Sequence, residues 1–128
     1  MASVLLSDNA KEIVLSMKAL IQADSAERVH ESQSGWQYPL FDQCRAMKAD
    51  MESHGLKVYD CTVFHFMVTT RIKNPTKRLL LIPIQGTSTL TPADALSPES
   101  YWDVQGDADR ILVPNKDTGS DIVIMTLI

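Results

Sequence analysis

The chain has 128 residues, 45% of them apolar and 22% charged, and a formal charge of −4. That length is read as one domain spanning residues 1–128, large enough to bury roughly two-thirds of its unfolded surface without a metal or disulfide staple. No uncharged apolar run approaches the ~18 residues of a membrane span, the acidic balance speaks against general nucleic-acid binding, and two cysteines make neither a disulfide framework nor a four-ligand zinc set.

The first predicted element is a helix. Asn9-Ala10-Lys11-Glu12 has the form of a capping box, and Ile13, Met17, Leu20 and Ile21 follow at helical spacing. The pattern leaves room for this helix to run on through residues 23–30 before the polar stretch at 32–35 stops it. A second helix is predicted from Pro39, suited to the first helical position, to Gly55, suited to the residue after the last turn. Phe41, Cys44, Ala46, Met47 and Met51 form its apolar stripe.

From Leu56 the apolar period changes to two. β-Forming residues run to Ile72, break at Asn74-Pro75 and resume over residues 79–84, which predicts a hairpin across residues 73–77. Pro83 cannot donate to a ladder, so its strand is an edge there or carries a bulge. Residues 86–109 read as a long connection, with Thr91-Pro92 and Ser97-Pro98 each able to open a short helical turn. A strand at 110–113, a turn at 115–119 and a final strand at 121–128 complete the chain. The predicted fold is therefore α+β (α-α-β-β-loop-β-β), two N-terminal helices packed on a mainly antiparallel sheet of about four strands. In the last strand Ile122, Ile124 and Ile128 face one way and Val123, Met125 and Leu127 the other. Two helices cover only one face of such a sheet, so the second face requires its own cover. A second copy of the chain is the expected one, with Trp102 of the long loop as a competitor.

Charge is unevenly distributed. Residues 1–56 carry −3, residues 57–78 carry +4 and residues 79–128 carry −5. Arg71, Lys73, Lys77 and Arg78 flank the Asn74-Pro75 turn as a basic hairpin tip. They read either as a solvated guard on a sheet edge or as the contact for a small anion or an acidic protein partner. Trp36, Tyr101 and Trp102 lie in the two irregular stretches and would line an aromatic site if those stretches met at one end of the sheet.

Other groups read as structural. His30, His54 and His65 share no ligand or catalytic spacing, and His65 lies ~13 Å along a strand from Cys61, too far for a Cys–His pair. Cys44 reads as a small core hydrophobe, and the redox state of both thiols is open. Asp103, Asp107 and Asp109 around Gly106 read as a solvated acidic loop, with a hard-cation site and metal-assisted hydrolysis as the lesser alternative. Asp117-Thr118-Gly119-Ser120 resembles the tetrapeptide of aspartic proteases. The resemblance spans fewer than ten residues and follows Pro114-Asn115-Lys116 instead of a hydrophobic strand, so the string is read as a turn.

No catalytic residue, metal site or cofactor emerges from these patterns, and the reading leans away from an enzyme. The expected function is a non-catalytic binding or regulatory domain acting as a homo-oligomer through protein–protein contacts. The alternative is a protein that sequesters or senses a small anionic ligand or nucleotide, using the basic hairpin Arg71–Arg78 and the aromatic loop around Trp102. With no signal-peptide pattern at the N-terminus and no disulfide set, the cytoplasm is the expected compartment.

Overall fold

The computed structural model describes residues 2–24, 26–91, 94–96, 99–106 and 109–128. Its elements are β1 (Ala2–Leu5), α1 (Asp8–Gln22), β2 (Val29–Ser32), β3 (Gly35–Tyr38), α2 (Phe41–Ser53), β4 (Val58–Phe66), β5 (Thr70–Ile72), β6 (Arg78–Gln85), β7 (Thr89–Leu90), β8 (Asp94–Ala95), β9 (Ser100–Gln105), β10 (Arg110–Val113) and β11 (Ser120–Leu127). Seven strands form one antiparallel sheet in the order β1-β9-β6-β11-β4-β3-β2, and four form a second in the order β5-β10-β7-β8.

This architecture corrects the four-stranded expectation: the chain is mostly β, with two helices among the described residues. Three departures account for it. Residues 86–109 supply the strands β7, β8 and β9; Pro92, Ser97 and Pro98, on which the expected helical turns rested, lie outside the described residues. Residues 29–38 form the β2–β3 pair in place of a helix tail and a coil. The basic segment at 73–77 closes no hairpin, because β5 pairs with β10 in the smaller sheet while β6 pairs with β9 and β11 in the larger. Asn74 holds that crossover, its Nδ2 donating to the carbonyls of Val104 (3.2 Å) and Gly106 (3.0 Å).

The doubly apolar strands are covered on both sides by the chain itself. On one face of the large sheet, Val63, Leu80, Ile82, Val123 and Met125 pack with Met17 of α1 and Met47 and Met51 of α2. On the other, Leu79, Leu81, Trp102, Val104 and Ile122 pack with Ile72, Leu90 and Leu112 of the small sheet. Alternation along β6 and β11 serves both layers, since successive strand residues face opposite ways.

Local chemistry explains the element ends. Ser7 caps α1, accepting from the Ala10 N–H at 3.1 Å. Asn9, the cap expected from sequence, instead donates its Nδ2 to Asp50 of α2 at 3.0 Å, and Ser7 Oγ donates to the same carboxylate at 3.0 Å. A buried carboxylate must be hydrogen-bonded, so Asp50 recruits both side chains and ties the two helices together. Pro83 is accommodated by a register slip in the β6–β11 ladder, where Asp121 faces Gln85 while Ile122 faces Pro83. Such a bulge re-aims neighbouring side chains.

Candidate functional site

Four cross-strand partners form one row across the helix-covered face of the large sheet. Trp36 of β3 lies opposite His65 of β4, His65 opposite Asp121 of β11, and Asp121 opposite Gln85 of β6. The bulge beside Pro83 brings Gln85 into this row. The four residues that follow Asp121 in β11 are apolar, which leaves a charged side chain near the head of that strand with only 2% of its surface exposed.

Asp121 is satisfied on both oxygens. His65 Nδ1 lies 2.7 Å from Oδ1, and Gln85 Nε2 donates to Oδ2 at 2.7 Å. A carboxylate only accepts, so the His65 Nδ1 carries its proton toward Asp121, leaving Nε2 as the ring's working nitrogen. Gln85 is held in turn by Gln22 at the end of α1, whose Nε2 donates to Gln85 Oε1 at 3.2 Å. The relay Gln22–Gln85–Asp121–His65 thus sets the position and tautomer of one imidazole.

On its other side His65 stacks on Trp36, with centroids 4.2 Å apart and an interplanar angle of 10°. The Arg28 guanidinium covers the indole at 4.1 Å, so both Trp36 faces are occupied, one by a cation. Beside this sandwich opens a cavity of about 510 Å³, bordered by Arg28, Tyr38, His65, Met67, Gly119 and Asp121. His65 Nε2 meets the Met67 thioether there at 2.9 Å. Burial raises the Tyr38 phenol above its usual value, so near neutrality its O–H is a donor. Chemically the site offers a guanidinium, a phenol, and an imidazole oriented by a buried carboxylate.

The residues singled out from sequence are dispersed. Trp36 belongs to the cavity. Trp102 is buried between the two sheets and Tyr101 packs toward the helices, so neither meets Trp36 in an aromatic site. Arg71 and Lys73 are exposed, Arg71 on β5 opposite Ile111. Lys77 takes a left-handed φ of 66° at the crossover. Arg78 is committed to Asp103, donating from Nε at 3.1 Å and from an Nη at 2.7 Å. We expect Arg78→Glu, which sets two carboxylates together, to cost about 1–3 kcal/mol, and Lys73→Glu to stay within about 0.5 kcal/mol; urea unfolding of the two single variants checks this.

Asp109 is exposed and Asp107 lies outside the described residues, so with Asp103 on Arg78 no ligand set assembles; among the described residues no group of three potential metal ligands occurs. The turn at 115–119 is organised by Asn115, whose Oδ1 accepts from the backbone N–H of Asp117 (3.0 Å) and Thr118 (3.2 Å). The turn uses the Asp117 backbone, so Asp117→Ala is expected to change stability by about 1 kcal/mol or less in urea unfolding, and Asn115→Ala by more. Thr118 and Gly119 of the same string nonetheless border the cavity.

Sequence reasoning passed over His65, Asp121, Gln85, Arg28 and Met67. The one available signal was Asp121 itself, a carboxylate opening an apolar strand. Its partner lies 56 residues earlier and is set by ladder register.

No protein-family model matches the chain, and no curated protein matches it. Among solved structures, a protein of unknown function with a cupin-like fold from Ralstonia eutropha JMP134 aligns with 15% identity and a TM-score of 0.40, over 52% of this chain and 46% of that one. The aligned part spans about half of either chain. No helix among the described residues is long and apolar enough to cross a membrane.

Proposed function

We propose that the protein binds a small anionic ligand in the cavity beside His65. The observation that carries this reading is the Arg28 guanidinium bordering a cavity that also receives the His65 ring, which the buried Asp121 fixes and which donates from Nε2 to an anion in its protonated form. About 510 Å³ falls within the range of small-molecule sites. Asp121 is only 2% exposed, and each of its oxygens already accepts a hydrogen bond, from His65 or from Gln85. With Trp36 covered on both faces, the indole has no face left for a nucleobase, which favours a carboxylate or phosphate compound over stacking recognition of a nucleotide. The basic segment Arg71–Arg78 is not part of this site. Free thiols at Cys44 and Cys61 fit a reducing compartment such as the cytoplasm.

Thermal unfolding against inorganic phosphate, small mono- and dicarboxylates and nucleoside monophosphates tests the proposal. A ligand at 100 times its dissociation constant adds about 2.7 kcal/mol. That gain should vanish in Arg28→Ala and in His65→Asn and should shrink with added salt. Absence of stabilisation by every anion, or stabilisation that both variants retain, ends this reading.

A homo-oligomeric binding domain is the second reading, favoured by one observation. Among the described residues β1 pairs with β9 alone and leaves a strand edge open, where Leu5 is 73% exposed. The sheet face first assigned to a partner copy is covered by the small sheet, so an interface would use this edge. A dimer mass in sedimentation that Leu5→Lys returns to the single-chain mass supports this second reading; a single-chain mass throughout removes it.

A further inference from the structure

We propose that Cys44 and Cys61 form a modification site, a dithiol that a peroxide converts to an intramolecular disulfide joining α2 to β4. Both cysteines are free and half-buried. They come from different layers, Cys44 from the first turn of α2 and Cys61 from the strand against which α2 packs. Both side chains lie against the same helix-side core, and each thiol is the largest single influence on the other's acidity. Two thiols that interact this strongly across one packed helix–strand interface need only a short approach to reach the ~2.05 Å of a disulfide bond. The site is separate from the anion cavity, which neither cysteine lines.

The two thiols are chemically unequal. The neighbouring Cys61 thiol lowers the Cys44 thiol below its ordinary value, against the opposing effect of burial. The Cys44 thiol, with burial, raises Cys61. The first turn of a helix also favours negative charge on Cys44. Cys44 is therefore the attacking thiolate and Cys61 the resolving thiol. The Cys44 thiolate attacks one oxygen of hydrogen peroxide, the O–O bond breaks, and hydroxide leaves, taking a proton to become water. The resulting sulfenic acid is attacked by Cys61 sulfur; the S–S bond forms, the S–O bond breaks, and the Cys61 proton leaves with the hydroxyl as a second water. Two thiols lose two electrons and one peroxide gains them.

The test treats the native 128-residue chain with hydrogen peroxide and reads thiol titration, intact mass and peptide mapping without reductant. The expected result is loss of both titratable thiols, a mass lower by two hydrogens, a Cys44–Cys61 linked peptide, and reversal by dithiothreitol. In Cys61→Ser the reaction should stop at a sulfenic acid on Cys44, trapped by a dimedone adduct. In Cys44→Ser, Cys61 should react at least tenfold more slowly than Cys44 does in the native chain. Cys61→Ala and Cys44→Ala repeat the comparison with small apolar replacements, should either serine variant fold poorly. Alkylation of the native chain with limiting iodoacetamide should label Cys44 first. Two free thiols after peroxide, a disulfide that forms only in denaturant, or preferential labelling of Cys61 would each overturn the proposal.

Discussion

Asp121→Ala is expected to destabilise the protein by about 2–6 kcal/mol, the cost of leaving two buried donors unpaired at about 1–3 kcal/mol each. The carboxylate is nearly inaccessible and receives His65 Nδ1 and Gln85 Nε2, both at 2.7 Å. Truncation leaves those two donors without their acceptor. Single domains have net stabilities of roughly 5–15 kcal/mol, so the variant should be marginal or unfolded at 37 °C. Asp121→Asn separates charge from shape. One oxygen can still accept, but the new amide N–H₂ meets either the imidazole Nδ1–H or the Gln85 amide, and turning Gln85 over would break its bond from Gln22. A loss of about 1–3 kcal/mol is expected for that single mismatch. Urea unfolding measures both. An Asp121→Ala loss under about 1 kcal/mol would mean that the carboxylate is not buried against His65, and the oriented imidazole would have to be given up with it.

Gly119→Ala should cost about 2–4 kcal/mol and abolish anion binding at the same time. Gly119 has a φ of 75°, a left-handed conformation unfavourable for alanine. The new Cβ would also stand 2.6 Å from the Phe66 carbonyl oxygen and 2.5 Å from His65 Nε2. The carbonyl belongs to a paired strand and yields little, so the imidazole or the turn must move. Gly55→Ala is the matched control: its φ is 90°, but an added Cβ meets nothing within 4 Å. It should show the conformational cost alone, about 1 kcal/mol, with ligand stabilisation intact. Calorimetric titration of both variants, with the anion identified by thermal screening, decides the matter. Equal anion affinity in Gly119→Ala and the native chain would place the ligand away from Nε2.

The two helices lie where the 3.6-residue period put them, because that signal is contained within a dozen neighbouring residues. The strands β4, β6, β10 and β11 were legible for the same reason, as was the turn before Ser120; Pro83 left an edge or a bulge open, and the register slip beside it is the bulge. The apolar residues on both faces of β11 already required two covering layers. What supplied the second layer was not legible. β7 and β8 are two residues each and β5 is three, too short for any periodicity. β5 and β7 become strands by pairing with β10, and β8 by pairing with β7, with Leu90 and Ile72 packed under Trp102. Likewise β1 and the β2–β3 pair exist because a neighbouring strand offers its edge.

The candidate site marks the boundary between the two kinds of information most sharply. By itself the amino-acid sequence determined that His65 and Asp121 each stand in a strand otherwise built for burial. It carried no statement that they face one another, because a ladder slipped by one residue would turn each partner's side chain to the opposite face. Tertiary structure decided the register, through apolar contacts on both faces of β4 and β11, and so placed Trp36, His65, Asp121 and Gln85 in one row. Side-chain period is local and follows from backbone geometry; pairing across 56 residues is chosen only when the whole sheet closes.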